Sequence, residues 1–142
     1  RDGTKKMSKS EESDYSRINL KDTSDEIVKK IKKAKSDSET IPDNIKSLEK
    51  KPEALNILNI YSEISQISLE KVLKEMAGKE YSFIKKKLTD LLISEICPVG
   101  KEIAKLMSDK EYLVKILKKG SEKANIKAEE NLKNIREKIG FI

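Results

Sequence analysis

Five consecutive residues near the start of the chain, Lys6-Met7-Ser8-Lys9-Ser10, combine two ammonium groups with two small hydroxyl side chains. The surrounding residues 1 to 22 are polar and carry no helical repeat of apolar positions, which predicts a loop. Two flexible cations can follow the negative charge of a polyphosphate during group transfer, while hydroxyl and backbone N–H groups donate hydrogen bonds to phosphate oxygens. The pattern therefore favours phosphate binding. The alternative is a solvated lysine and serine loop, although composition alone gives this pentapeptide a chance of only roughly one in a thousand.

Lysine supplies most of the positive charge of the chain. There are 31 basic residues against 25 acidic ones, a net charge of +6, and only three of the basic residues are arginine. Two clusters stand out, Lys29-Lys30 with Lys32-Lys33 opposite an apolar helix face, and Lys85-Lys86-Lys87. Such clusters can bind nucleic acid through salt-dependent phosphate contacts. No aromatic residue is interleaved with them, so base stacking is not indicated, and the alternative is an ordinary solvated surface.

Several kinds of chemistry are excluded by composition. Cys97 is the single cysteine and there is no histidine, so the chain has no internal disulfide, no catalytic histidine and none of the usual zinc or haem ligand sets. We predict no metal site. Apolar runs fall far short of the roughly 18 residues of a membrane span, so we expect no membrane partner and a reducing, cytoplasmic setting.

The elements that must carry these residues are helices. Thr23 followed three residues later by Glu26 is a capping box and predicts the start of a first helix. Residues 36 to 44 predict a loop. Pro52 opens a second helix, whose apolar surface is wide enough to be largely buried. A short helix from Leu69 to Met76 then ends before a glycine.

The strongest helical repeat covers residues 84 to 106, where apolar residues recur every three or four positions. Pro98 interrupts it and should either kink the helix or split it in two. Asp109 is placed to cap a further helix that closes at Gly120, and a last helix ends at Gly140.

No alternating pattern typical of a strand appears, so we predict an all-α fold, a bundle of five or six helices preceded by an irregular loop. We divide the chain into residues 1–22, the loop and a linker, and residues 23–142, the helical domain. Cys97 is expected to be a buried thiol. Three tyrosines are expected in the core: Tyr61, Tyr81 and Tyr112.

The pentapeptide resembles the KMSKS signature of class I aminoacyl-tRNA synthetases, and its surroundings from Asp2 to Leu20 are similar to the tryptophanyl branch of that class. The similarity continues through Asp25 to Ser36, through Pro52 to Tyr61 and through the end of the chain, so it covers essentially all 142 residues. Glu11 departs from the pattern, since the family usually has aspartate there.

The resemblance implies the carboxy-terminal region of a bacterial-type enzyme that activates tryptophan with the Mg²⁺ complex of ATP and transfers it to tRNA(Trp). Lys6 and Lys9 would be catalytic and would hold the leaving pyrophosphate. The implied ATP-binding residues are Lys6, Met7, Ser8, Lys9 and Ser10. The residues expected to bind tRNA weakly are Lys29, Lys30, Lys32 and Lys33. The intact enzyme would be a homodimer.

Because the sequence begins with Arg1 and not with methionine, we expect an internal fragment, or a processed or cleaved chain. The family's histidine-containing ATP motif, its tryptophan pocket and its dimer core would lie mostly elsewhere, in an α/β nucleotide-binding fold. This chain alone is therefore expected to be inactive and to bind no cofactor. Two alternatives remain open: the same region of a tyrosyl-tRNA synthetase, or a non-enzymatic, basic helical RNA-binding module in which the pentapeptide is accidental.

Overall fold

The computed structural model describes Ser8 and residues 10–141. They fall into two compact units, Arg1–Lys101 and Glu102–Ile142. The helices are α1 (Ser24–Lys32), α2 (Ile45–Leu48), α3 (Pro52–Ser65), α4 (Leu69–Met76), α5 (Tyr81–Ser108) and α6 (Lys110–Ile139), with a 3-10 turn at Asp14–Ser16. No strand occurs in the part of the chain that the structure describes, and the prediction of an all-α fold is confirmed. The predicted boundary after residue 22 stays a prediction.

Three helices begin as the sequence predicts. At α1 the Thr23 hydroxyl accepts a hydrogen bond from the Glu26 N–H at 3.3 Å, and the Glu26 carboxylate accepts one from the Thr23 N–H at 2.7 Å. Pro52 occupies the first turn of α3. At α6 the Asp109 carboxylate accepts from the N–H of Tyr112 at 2.9 Å. The first backbone N–H groups of a helix have no partner within it. The caps of α1 and α6 supply such partners, and Pro52 of α3 has no N–H group that would need one.

The core of the first unit is built from α1, α3, α4 and the first half of α5, with single residues from α2 and the preceding loop. Its largest fully buried side chains are Ile27, Leu48, Leu58, Met76, Ile84, Leu88 and Val72. Tyr81 is buried as predicted, while Tyr61 and Cys97 are partly buried and pack against this core. The prediction of a core position for Tyr112 is wrong, because its side chain is 48% exposed. The second unit contains only α6 and the end of α5, and α6 buries none of its residues.

The helix end predicted at Gly120 and the split considered at Pro98 do not occur, and one helix was not predicted. Pro98 lies inside a continuous α5, although proline removes one hydrogen bond and crowds the preceding turn. Leu92, Ile96 and Cys97 hold the adjoining turns against the core. Gly120 lies inside a continuous α6, because an interior glycine costs only about 1 kcal/mol and helix-forming residues follow it. The four-residue α2 was too short to produce a recognisable repeat.

Candidate functional site

The KMSKS segment is described only at its serines. Ser8 and Ser10 are both exposed, and they form a tight turn in which the Ser10 N–H donates to the Ser8 hydroxyl at 3.3 Å. The Glu11 N–H also reaches the Ser8 carbonyl, at 3.5 Å. Lys6, Met7 and Lys9, to which the sequence assigns the chemistry, lie outside the described residues. The two serines thus lie close together at the surface, and hydroxyl groups there can donate hydrogen bonds to phosphate oxygens.

A polar network fixes the residues that follow this turn. The Lys30 amine of α1 lies 2.5 Å from the Asp14 carboxylate and 2.6 Å from that of Asp22. Asp14 also pairs with Arg17 at 2.9 Å and accepts from the Asn19 side chain at 3.0 Å. Asp22 accepts from the Asn19 backbone N–H at 2.8 Å. Five polar residues therefore tie residues 14–22 to one side of α1. Sequence reasoning missed this network, and the only available signal was the concentration of charge after the motif.

The electrostatics of the network favour its ionised form. Burial lowers the pKa of Lys30, but the hydrogen bonds with Asp14 and Asp22 outweigh it, so the pKa of this amine is raised overall. The hydrogen bond from Lys30, followed by that from Asn19, holds the pKa of Asp14 below its usual value. The ion pair between Lys30 and Asp14 therefore persists throughout the neutral range.

The lysine face of α1 is only partly as predicted. Lys29, Lys32 and Lys33 are exposed, as expected of phosphate-binding side chains. Lys30 is 7% exposed, so its expected place on the solvent-facing surface is wrong. Its amine is already bound to two carboxylates, which compensate for the cost of burying the charge.

Two lysines of the predicted clusters lie beside aromatic rings, although no aromatic residue is interleaved with the clusters in the sequence. The Lys33 amine lies 4.1 Å from the centre of the Tyr15 ring, and the Lys87 amine lies 5.9 Å from that of Phe83. Tyr15 is 39% exposed and Phe83 is 40% exposed. Tyr15 and Lys33 are far apart in the sequence, so no search for interleaved residues could find the pair. Both contacts are of the cation–π type.

The lysines of the second cluster, residues 85–87, also differ in their surroundings. The Lys85 amine donates to the Ala34 carbonyl at 2.6 Å and to the Ser36 hydroxyl at 3.1 Å, just past the end of α1. A cation there satisfies carbonyl groups left unpaired at a helix end. Burial lowers the pKa of Lys85. Lys86 and Lys87 are exposed, so only these two of the triplet have side chains that are open to solvent.

A close backbone contact adds to the network around residues 14–22. Gly100 in α5 faces the Leu20 carbonyl so closely that a Cβ atom at position 100 would lie 2.7 Å from its oxygen. Real side chains do not tolerate this distance, so the approach depends on glycine. The residues after the motif are therefore held by α1 through ion pairs and by α5 through close packing.

Other binding chemistry is limited in the residues that the structure describes. Among them, no three acidic or cysteine side chains are grouped so that they could hold a metal ion. A cleft of about 890 Å³ is lined by Arg17 and Lys33 and by apolar residues of α3 and α5, such as Ile60 and Leu92. No described helix has the length and apolar character needed to cross a membrane.

The whole chain, including the residues of this site, is similar to known proteins. Residues 1–96 match the family described as tRNA synthetases class I (W and Y). Over its full length of 142 residues, the chain is 46% identical to a tryptophan–tRNA ligase of Rhizobium meliloti and covers 40% of that protein. It is also 46% identical to a tryptophan–tRNA ligase of Rickettsia felis, covering 42% of it, and 43% identical to one of Brucella suis, covering 40%. The chain thus spans about two fifths of the length of the curated relatives it matches.

Proposed function

Because the chain belongs to the class I tRNA synthetases of the tryptophan and tyrosine family, we propose that it is the part of a tryptophan–tRNA ligase that supplies the KMSKS segment and a tRNA-facing helical region. The observation that carries the proposal is the pentapeptide Lys6 to Ser10 at the start of a chain whose whole length is similar to enzymes of that name. The proposal includes tRNA(Trp) as the partner, the cytoplasm as the setting and a homodimer as the complete enzyme.

The proposed function defines the chemistry of the activation step. A tryptophan carboxylate oxygen attacks the α-phosphorus of ATP, supplied as its Mg²⁺ complex. The new O–P bond gives tryptophanyl adenylate, and pyrophosphate leaves with the electron pair of the broken P–O bond. Lys6 and Lys9 neutralise the charge that grows on the pyrophosphate, because groups that bind charge as it develops stabilise the transition state more than the ground state. Ser8 and Ser10 donate hydrogen bonds to phosphate.

The helical region is proposed to contact tRNA through exposed lysines. Lys29, Lys32 and Lys33 present their amines at the surface of α1 and just past its end, where they can neutralise tRNA phosphates. Lys30 has no such role in this proposal, because Asp14 and Asp22 occupy its amine. Point charges on lysine give affinity with little sequence discrimination.

The decisive experiment is adenylate formation by the complete protein. We expect Lys6→Ala or Lys9→Ala to lower the rate of tryptophan activation by on the order of 10² to 10³, with tryptophan binding little changed. Lys50→Ala, which removes an exposed lysine before α3, is the matched control and should be active. Unchanged activation with weakened tryptophan affinity would refute the roles of the two lysines. Activation of tyrosine in place of tryptophan would assign the chain to the other branch of the family.

A further inference from the structure

Lys30 differs from every other lysine of α1 in the surroundings of its amine. Lys29 and Lys32 are exposed, whereas the Lys30 side chain is 7% exposed and lies against Asp14 and Asp22. Both carboxylates belong to the stretch that follows the KMSKS motif and precedes α1. The buried charge therefore connects a helix of the core to the chain leading directly from the proposed catalytic lysines.

Such a network is better suited to fixing a position than to adding stability. Buried ion pairs give little net stability compared with apolar residues of the same shape, since both charges lose their hydration. They do define one geometry, because each carboxylate must point at the same amine. Asp14 and Asp22 also bind Arg17 and Asn19, so the polar side chains of the stretch converge on one point.

A second contact restrains the same stretch from another direction. The backbone at Leu20 rests on Gly100 of α5, at a separation that leaves no room for a Cβ atom. The ion pairs hold the two ends of residues 14–22, and this contact holds the chain close to its second end. Together they leave the stretch few ways to shift with respect to the core of the first unit.

We propose that Lys30 is a positioning residue for the activation step: by holding Asp14 and Asp22 it sets where the chain that leads to Lys9 and Lys6 leaves the helical core. The inference rests on the proposed function, since it assigns Lys30 a part in placing the lysines that bind the leaving pyrophosphate. Lys30 itself touches no substrate. Its effect passes through the catalytic lysines, and it must therefore disappear when they are removed.

A double-mutant cycle in the complete enzyme tests this dependence. Lys30→Met keeps the length of the side chain and removes its charge, and Lys71→Met, at an exposed lysine of α4 outside the proposed site, is the matched control. With Lys9 present, we expect Lys30→Met to slow adenylate formation by on the order of 10- to 100-fold, because small misplacements of catalytic groups have effects of that size. The tryptophan KM should stay the same. With Lys6→Ala and Lys9→Ala both already in place, Lys30→Met should slow the reaction less than threefold.

The outcomes separate three possibilities. An equal loss in both backgrounds would overturn the proposal, because a purely structural role lowers the amount of active enzyme by the same factor each time. No loss from Lys30→Met with Lys9 present would overturn it as well. Absence of tryptophan-dependent adenylate formation in the unmodified enzyme, or full activity of Lys9→Ala, would instead refute the proposed function. If Lys30→Met does not fold, Asp14→Asn replaces it, since that side chain is half exposed, and the same two criteria apply.

Discussion

Asp14 is the most exposed carboxylate of the network around Lys30, because its side chain is 49% exposed. Its charged partners are Lys30 and Arg17. Hydrogen bonding from Lys30 lowers the pKa of Asp14 in the folded protein. A carboxylate with a lowered pKa stabilises the fold above its unfolded pKa, about 3.9, and the stabilisation is lost as the pH falls through the folded value. The raised pKa of Lys30 stabilises the fold below the unfolded pKa, about 10.4, and this stabilisation is lost only as the pH rises through the higher folded value.

The first prediction follows from these signs. Asp14→Asn should lower the free energy of unfolding at pH 6, and the difference from the unmodified chain should shrink toward zero as the pH falls below about 3. Urea unfolding of both proteins between pH 2 and pH 7 measures the difference. Asp43→Asn, which alters an exposed aspartate elsewhere, is the control and should show no such trend. A difference that stays constant down to pH 2 would contradict the ionic interpretation.

Among the elements, α5 and α6 each contain an interior glycine, but the two glycines have opposite surroundings. A Cβ atom at Gly100 would meet the Leu20 carbonyl oxygen at 2.7 Å, whereas a Cβ atom at Gly120 would meet no heavy atom within 4 Å. Alanine favours a helix over glycine by about 0.5 to 1 kcal/mol when nothing obstructs its methyl group. Alanine should therefore be more stable than glycine at position 120, and less stable than glycine at position 100.

We predict that Gly120→Ala raises the free energy of unfolding by up to about 1 kcal/mol, while Gly100→Ala lowers it by about 1 to 3 kcal/mol through overpacking. Denaturant titration of the two variants side by side checks the signs. Hydrogen exchange adds a local test, since Gly100→Ala should speed exchange of the Asp22 N–H, which donates to the Asn19 carbonyl at 3.0 Å. Stabilisation by both substitutions would show that Leu20 does not press on α5.

The helices show which features of the fold could be predicted from the sequence. The caps at Thr23 and Asp109 were predictable because each partner lies three residues away. The sequence predicts a helix end at Gly120 because glycine is common at helix ends, yet the small cost of one glycine does not break a helix with good helix formers on both sides.

The candidate site was predictable only where it is local. Ser8 and Ser10 belong to a recognisable string, but the burial of Lys30 depends on carboxylates outside its own helix. The contact between Gly100 and Leu20 joins residues far apart in the chain. Helical periodicity places side chains on faces and carries no information about which distant segment covers a face. The sequence therefore assigned Lys30 to the surface with its neighbours.

At the scale of the whole molecule, the 142 residues are expected to bind RNA without activating an amino acid. We predict that the isolated chain supports no tryptophan-dependent exchange of pyrophosphate into ATP, because two lysines cannot orient ATP and tryptophan together, and positioning supplies several kcal/mol of the rate enhancement. Measurable exchange by the isolated chain would show that the residues needed for orientation are all within it.

The same chain should bind tRNA weakly and with a steep dependence on salt, in keeping with its net charge of +6. Replacing Lys29, Lys32 and Lys33 together with glutamine should lower the slope of log affinity against log salt by about 2, if each contacts one phosphate. Titrations at several salt concentrations measure it. The control replaces three other exposed lysines, Lys46, Lys50 and Lys71. Equal effects of the two triple variants would argue against a specific role for the lysines near the end of α1.

The ion pairs of Lys30 also constrain the order in which substitutions can accumulate during evolution. Loss of Lys30 first strands the Asp22 carboxylate, which is as buried as the lysine itself, and loss of Asp22 first leaves the amine with Asp14 alone. Both single steps pass through a destabilised intermediate. Asp14 is half exposed, so it can change earlier at a smaller cost. Among diverging descendants of this sequence, positions 22 and 30 should therefore be exchanged as a pair, while position 14 varies independently of them.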